Sequence, residues 1–290
     1  MASTRDIRRR MRSVESTAKI TNAVQLVAAS KMRRAQDRAQ AARPYAEAMR
    51  GVLADLTGSG MENITNLHPL LERREMRETT IIVITPDRGL CGGLVSNLER
   101  HAGEIALNSE LPGQVSMIPV GRKGLEYFNR FGVTYRAEFQ ELGDYPGLAE
   151  TRPISQIAIQ DYMSGAVDQV LVVYGAFVST VRQLPTTIQI LPVDPPPKDD
   201  SGGADVDYIF EPSPPSVLSD LLPRYVEMQV YQAVLEAVAS EQSARMVAMR
   251  NATDAANEML EELTLEYNKA RQEQITGELL DIVGGVEALA

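Results

Sequence analysis

The chain has 290 residues, a formal net charge of −10, 44% hydrophobic residues, 5% aromatic residues and no Trp. That length suits one large domain or two ordinary ones. No stretch approaches the ~20 apolar residues that span a bilayer, and the basic start "MASTRDIRRRMR" lacks the apolar core of a secretory signal. A single cysteine, Cys91, excludes an intramolecular disulfide and fits a reducing compartment, and His68 and His101 alone leave a His/Cys zinc site almost nothing to build from.

Charge is polarised along the chain. Residues 1–50 carry twelve Arg or Lys against four acids, a balance of +8, while residues 216–290 carry five against thirteen, a balance of −8. Two ends of opposite sign and equal size can attract each other.

The first element predicted is a long helix from about residue 7. Ile7, Val14, Thr21, Ala28, Ala35, Ala42 and Met49 recur every seven residues, and Met11, Ala18, Gln25, Met32, Ala39, Ala46 and Leu53 do so four places later. Twelve of these fourteen are apolar, which marks a coiled-coil seam. The alanines let a partner helix lie close. Pro44 lacks an N–H and clashes with the preceding turn, so a kink or bend is expected there.

The middle has another rhythm. Short β-branched runs at 79–85, 116–121, 133–139, 169–177 and 186–193 alternate with helix-like stretches near 92–109, 122–131 and 154–167. This predicts an α/β domain with a mainly parallel, Rossmann-like sheet. "DPPPKDDSGGADVD" after the last strand reads as a surface loop.

The final element mirrors the first. Leu218, Tyr225, Gln232, Ala239, Met246, Thr253, Leu260 and Tyr267 form one seven-residue series, and Leu221, Met228, Leu235, Gln242, Met249, Ala256, Leu263 and Ala270 form another three places on. With no Pro after Pro223 and no Gly before Gly277, residues 216–287 predict a helix of about 105 Å. A middle domain of this size is only about 40 Å across, so the helix must extend past it and needs a partner. The N-terminal helix has the matching period and charge. The expectation is an antiparallel coiled coil with the tip of the longer helix bare, and three segments: 1–56, 57–215 and 216–290. The polar seam residues Thr21, Gln25, Gln232, Gln242 and Thr253 either fix register or leave the shaft able to twist.

No catalytic motif emerges. "PDRGLCGGL" (86–94) joins a strand to a helix, where α/β proteins often hold phosphate, but it matches neither G-x-G-x-x-G nor the P-loop. It reads as a tight turn. Cys91 has Arg88 near it in sequence and no His, so a structural thiol is expected. Glu258, Glu261 and Glu262 read as a solvated helix face. "RDIRRRMR" could grip nucleic acid, yet it has no aromatic interleaving and opens a coiled coil. An acidic protein surface satisfies the same charges, so no nucleic acid, cofactor or metal is expected.

"ITNAVQLVAASKMRRAQ", "RPYAEAMR", "DRGLCGGL", "SEQSARMVAMRNATDAANEM" and "LTLEYNKARQEQITGELLDIVGGVEAL" resemble the gamma subunits of bacterial F-type ATP synthases, in order and over essentially the whole chain. The resemblance implies a non-catalytic central rotor shaft, one copy inside a hexamer of alternating alpha and beta subunits. Its α/β foot would sit beside the epsilon subunit on the ring of c subunits, coupling proton-driven rotation to ATP synthesis on beta. It implies a peripheral protein on the cytoplasmic side of a bacterial cell membrane, without direct insertion.

The resemblance also implies contact residues. Arg271 and Gln272, with Arg245, Thr276 and Glu278, match the polar cluster that meets beta; Lys31, Arg33 and Arg34 match the face opposite acidic lever segments of beta. Asp207, Tyr208 and Glu211 match the foot near epsilon and the c ring. Val24 and Leu26 stand where many members carry Met, and a single cysteine means that the dithiol insertion of plastid relatives is absent. Two alternatives stay open on the residues alone: a coiled-coil scaffold with an α/β interaction domain, and a nucleotide-binding enzyme using "DRGLCGGL".

Overall fold

The computed structural model describes residues 3–58, 68–107, 113–194 and 214–287. Among them the order is α1 (Thr4–Gly58), β1 (Glu78–Ile84), α2 (Leu94–Leu107), β2 (Gln114–Val120), α3 (Arg122–Phe128), β3 (Thr134–Tyr135), α4 (Leu148–Met163), β4 (Gln169–Phe177), β5 (Gln183–Leu191) and α5 (Pro214–Glu287). By contact the chain divides into two compact units, Ala29–Ala244 and Met1–Ala28 with Arg245–Ala290.

The larger unit is built on one five-stranded sheet in the order β3-β2-β1-β4-β5. β1 runs parallel to β2 and β4, β2 parallel to β3, and β4 antiparallel to β5. The sheet is therefore Rossmann-like and mainly parallel, with an antiparallel edge strand. Its central strands are apolar on both faces because both faces are covered.

Successive side chains of β1 go to opposite sides. Ile82 and Ile84 join Ile118, Val170, Val172 and Ile154 of α4 in one core; Ile81 and Val83 join Met117, Val173 and the α2 residues Leu94, Leu98 and Ala102 in the other. Within this unit α5 presents Leu222, Val226, Val230, Ala233 and Val234 to the first core, and Leu53 of α1 enters it as well.

Most boundaries fall within a few residues of the sequence expectation, β5 at Gln183–Leu191 against 186–193 and the end of α4 at Met163 against 167 among them, and two larger differences have a local cause. α4 begins at Leu148, six residues before 154, because Glu150 Oε2 accepts the Gly147 N–H at 2.9 Å and starts the helix ahead of Pro153. The strand expected over 133–139 is a ladder of only two residues plus an isolated bridge between Val120 and Phe139. Between them Arg136 turns its guanidinium onto Glu78, Ser116 and the Ala166 carbonyl. α1 continues as helix through Pro44.

In the smaller unit the two helices run antiparallel. Thr21 Oγ1 lies 2.7 Å from Thr253 Oγ1, the Arg8 guanidinium bonds the Tyr267 hydroxyl, and Thr4 Oγ1 donates to Gln274 Oε1 at 3.1 Å. Positions descend on α5 as they ascend on α1. Counting the seam residues of both units, each of the fourteen positions of α1 is buried or half-buried, and so is every position of the two α5 series.

Candidate functional surfaces

The sheet's strand order reverses between β1 and β4, which is where open α/β sheets bind ligands beyond the strand ends. Here the donors that would face a ligand are taken by the chain itself. Asp87 Oδ1 accepts the Arg122 N–H at 2.9 Å, the Pro86 carbonyl accepts that of Lys123 at 3.2 Å, and Thr85 Oγ1 accepts that of Gly124 at 2.8 Å. These are the free donors of the first turn of α3. Gly121 has φ +98°, and a β-carbon on it would stand 1.9 Å from the Thr85 carbonyl oxygen, so no other residue fits that approach.

α5 borders the same crevice with Val234, Ala237, Val238, Glu241 and Gln242. The turn in "PDRGLCGGL" is made by Leu90 and Gly92 at φ 64° and 59°. Cys91 is buried against α2 in the second core, with its thiol directed at the Arg88 carbonyl. His68 Nδ1 accepts the Leu70 N–H at 3.2 Å, and His101 Nε2 meets Thr187 Oγ1 at 2.9 Å. Among the described residues no group of three or more His, Cys, Asp or Glu could hold a metal ion.

The second surface is the basic face of α1. Lys31 Nζ pairs with Asp144 Oδ2 at 2.7 Å. Arg34 Nη1 donates to the Tyr145 hydroxyl at 3.2 Å and Arg38 Nη1 to the Tyr145 carbonyl at 3.0 Å, with the two guanidiniums 5.7 and 5.1 Å from the ring centroid. Arg33 is exposed. Two of the three cations matched to a partner's acidic segments thus also touch a loop of this chain. Neither Asp144 nor Tyr145 was singled out by sequence; only the turn composition of "LGDYPG" marks that loop.

The third surface is the far part of α5. Arg271, Gln272, Thr276 and Glu278 are all exposed. Gln274 among them donates to Glu278 Oε1 at 2.9 Å while accepting from Thr4. Arg271 and Glu278, seven residues apart, share one face, and Gln272 and Thr276, four apart, share another. Arg245 is half-buried and lies about 39 Å along the helix from Arg271, so the structure does not gather it into their cluster. Past the cross-link to Thr4, Ile275, Leu279 and Ile282 are 48%, 58% and 65% exposed. Asp207, Tyr208 and Glu211 lie outside the described residues.

A sequence model of the ATP synthase family matches residues 3–289. An ATP synthase gamma chain of Dehalococcoides mccartyi strain 195 is 53% identical over 293 residues, covering 100% of both chains. The chain belongs to the ATP synthase gamma chain family. A gamma chain of Roseiflexus castenholzii is 49% identical over 294 residues, covering 100% of this chain and 99% of the relative.

Among solved structures, the fold is like that of a chain in the Euglena gracilis mitochondrial ATP synthase OSCP/F1/c-ring assembly in rotational state 3. The TM-score is 0.66 at 20% identity, over 99% of this chain and 94% of that one. It is also like a chain of the Tetrahymena thermophila mitochondrial ATP synthase central stalk and c-ring, with a TM-score of 0.60 at 24% identity over 80% and 99%. The chain is thus a subunit of a membrane-associated ATP synthase complex, and among the described residues no helix is long and apolar enough to cross a membrane.

Proposed function

We propose that the chain is the central rotor shaft of an F-type ATP synthase and has no catalytic site of its own. The observation that carries this is the antiparallel pairing of α1 with α5 through Thr4–Gln274, Arg8–Tyr267 and Thr21–Thr253, in a chain 53% identical to a gamma chain over its whole length. Chemistry is assigned to partners because the first-turn N–H donors of α3, the groups that would hold a phosphate at this crevice, are taken by Asp87, Pro86 and Thr85.

On this reading one copy stands within a hexamer of alternating alpha and beta subunits, its foot beside epsilon and on the c ring. The complex is held at the cytoplasmic side of the cell membrane. Proton flow turns ring and shaft together, and the shaft carries each beta site through its conformations in turn; hydrolysis runs the same cycle backwards. A structural device of this kind works by favouring one partner conformation at a time.

Arg271, Gln272, Thr276 and Glu278, with Arg245 further along α5, would contact beta. Exposed charged and amide groups make directional bonds that break and re-form at each step. Lys31, Arg33 and Arg34 would face acidic segments of beta, where exposed charges steer and set register more than they hold. Asp207, Tyr208 and Glu211 would belong to the foot.

The deciding experiment is purification of the assembled complex with its stoichiometry. One copy per alpha–beta hexamer is expected; two or three symmetric copies would overturn the shaft. ATP binding by the isolated chain at micromolar strength, or hydrolysis without alpha and beta, would overturn the absence of a catalytic site.

A further inference from the structure

We infer that the loop following β3, through Asp144 and Tyr145, is a clasp that stops α1 from rolling about its own axis, so that these two are positioning residues for the passage of torque between the α/β unit and α1. The inference rests on the shaft reading above.

Over residues 29–46 the seam of α1 is made of Met32, Ala35, Ala39, Ala42 and Ala46, and only further on do Met49 and Leu53 bring larger side chains, Leu53 into the core. A methyl group offers a neighbouring helix close approach but little to interlock with, since the grip of a side chain grows with the atoms it brings into contact. A helix held only by such a seam resists rolling weakly. Lys31, Arg34 and Arg38 lie on a different face, about 90° round the helix from the seam. A helix gripped on two faces a quarter-turn apart cannot roll without breaking one grip.

The loop is built to resist. At one end Phe139 is fixed to the sheet, its N–H donating to the Pro119 carbonyl at 3.0 Å and its own carbonyl accepting from Gly121 at 2.7 Å. At the other, Gly147 caps α4. Between them Leu142 packs on the core, Pro146 is buried, and Glu141 and Gly143 turn the chain at φ 56° and 81°. Asp144 then takes the Lys31 ammonium, while Tyr145 takes two guanidiniums, Arg34 through its ring and hydroxyl and Arg38 through its ring and backbone carbonyl. Asp144 also lines the crevice bordered by Glu241 and Gln242 of α5.

The test uses the full complex carrying Asp144→Ala with Tyr145→Ala. Angular fluctuation of a probe on the rotor of a stalled complex should rise about twofold in variance, while ATP hydrolysis stays within about twofold. A structural role without mechanical consequence would leave the variance unchanged, and that result in a complex with one copy per hexamer overturns the clasp. The charge exchange Lys31→Asp with Asp144→Lys should restore the stiffness lost in Lys31→Asp alone; no recovery means that Lys31 acts on a partner, and also overturns it.

Hydrogen exchange over residues 29–45 of the isolated full chain answers independently of assembly: at least tenfold faster exchange is expected in the double variant, and equal rates count against the clasp. A failed stoichiometry would sink the shaft reading and leave this second measurement to decide the hold on α1. Should the double alanine variant not fold, Asp144→Asn with Tyr145→Leu keeps the volume and removes the ion pair and the ring.

Discussion

Gly175 in β4 lies directly against Ser240 in α5: a β-carbon placed on the glycine would stand 3.5 Å from Ser240 Cβ and 3.3 Å from Leu94 Cδ1. The long helix passes the end of the sheet closely because β4 presents no side chain there. Next to it Ser243 Oγ donates to the Thr180 carbonyl at 2.8 Å, tying α5 to the β4–β5 hairpin. Gly175→Ala should be nearly neutral, since Leu94 Cδ1 is the far end of a flexible side chain. Gly175→Val adds two further methyl groups to a packed contact and should destabilise by about 1–3 kcal/mol. Urea unfolding of the full chain reads this out; equal midpoints for wild type and Gly175→Val would show that α5 stands off the sheet.

Two tyrosines make stability depend on alkaline pH. Burial pushes the Tyr162 phenol up to about 12, and burial together with the Glu236 carboxylate pushes Tyr174 up to about 12. The unfolded chain ionises near the ordinary value of about 10. Between about pH 10 and 12 the unfolded state therefore binds fewer protons than the folded one, and stability falls as pH rises. Each tyrosine contributes about 2–3 kcal/mol across that window. Tyr162→Phe and Tyr174→Phe should each flatten the decline. Tyr162→Phe should also cost about 1–2 kcal/mol near neutral pH, because its hydroxyl bonds the Glu72 carbonyl. Parallel pH profiles for wild type and both variants would refute the assignment.

How much of this was legible in the sequence follows from how many surfaces each residue touches. The seam from Ile7 to Leu53 could be read because most of α1 has one buried face, so a period of seven survives. α5 buries two faces over 218–244: its seam was legible, but the sheet-facing Leu222, Val226 and Val230 dissolve into a nearly continuous apolar run. The clasp was not legible at all. Lys31 and Asp144 are 113 residues apart, and no local pattern says which of many surface carboxylates a lysine meets. The loop "PDRGLCGGL" was legible as a turn, while Asp87 as the cap of α3 depends on β1 and β2 lying side by side.

An acid-side effect should come from His68. Its Nδ1 accepts the Leu70 N–H, which fixes a short 3-10 turn whose Leu70 and Leu71 enter the core. Burial lowers the His68 pKa, so the folded chain favours neutral imidazole and the unfolded chain protonates first as pH falls. Its stabilising contribution is whole above about pH 6.5 and is lost as pH falls through the lowered folded value. His68→Asn keeps an acceptor without the titration. It should remove the part of the thermal-stability slope below pH 6.5, and a slope identical to wild type would place the acid sensitivity elsewhere.

The exposed cluster on α5 should affect work without affecting folding. Arg271 and Gln272 are both exposed and reach no core, and each lies on a helix surface where alanine is the best helix former. Arg271→Ala with Gln272→Ala should leave the circular dichroism of the isolated chain unchanged and its unfolding free energy within about 0.5 kcal/mol of wild type. In the assembled complex, removing the charge-assisted hydrogen bonds proposed for their contact with beta should lower proton-coupled turnover at least fivefold, since such bonds are worth about 1.5–3 kcal/mol. Arg245→Ala tests the separation along α5. With Arg245 about 39 Å from the cluster, its effect should add to that of the pair, because sites that far apart rarely couple. Unchanged turnover in the double variant would remove Arg271 and Gln272 from the contact with beta, while strong non-additivity with Arg245 would mean that a single partner element bridges both.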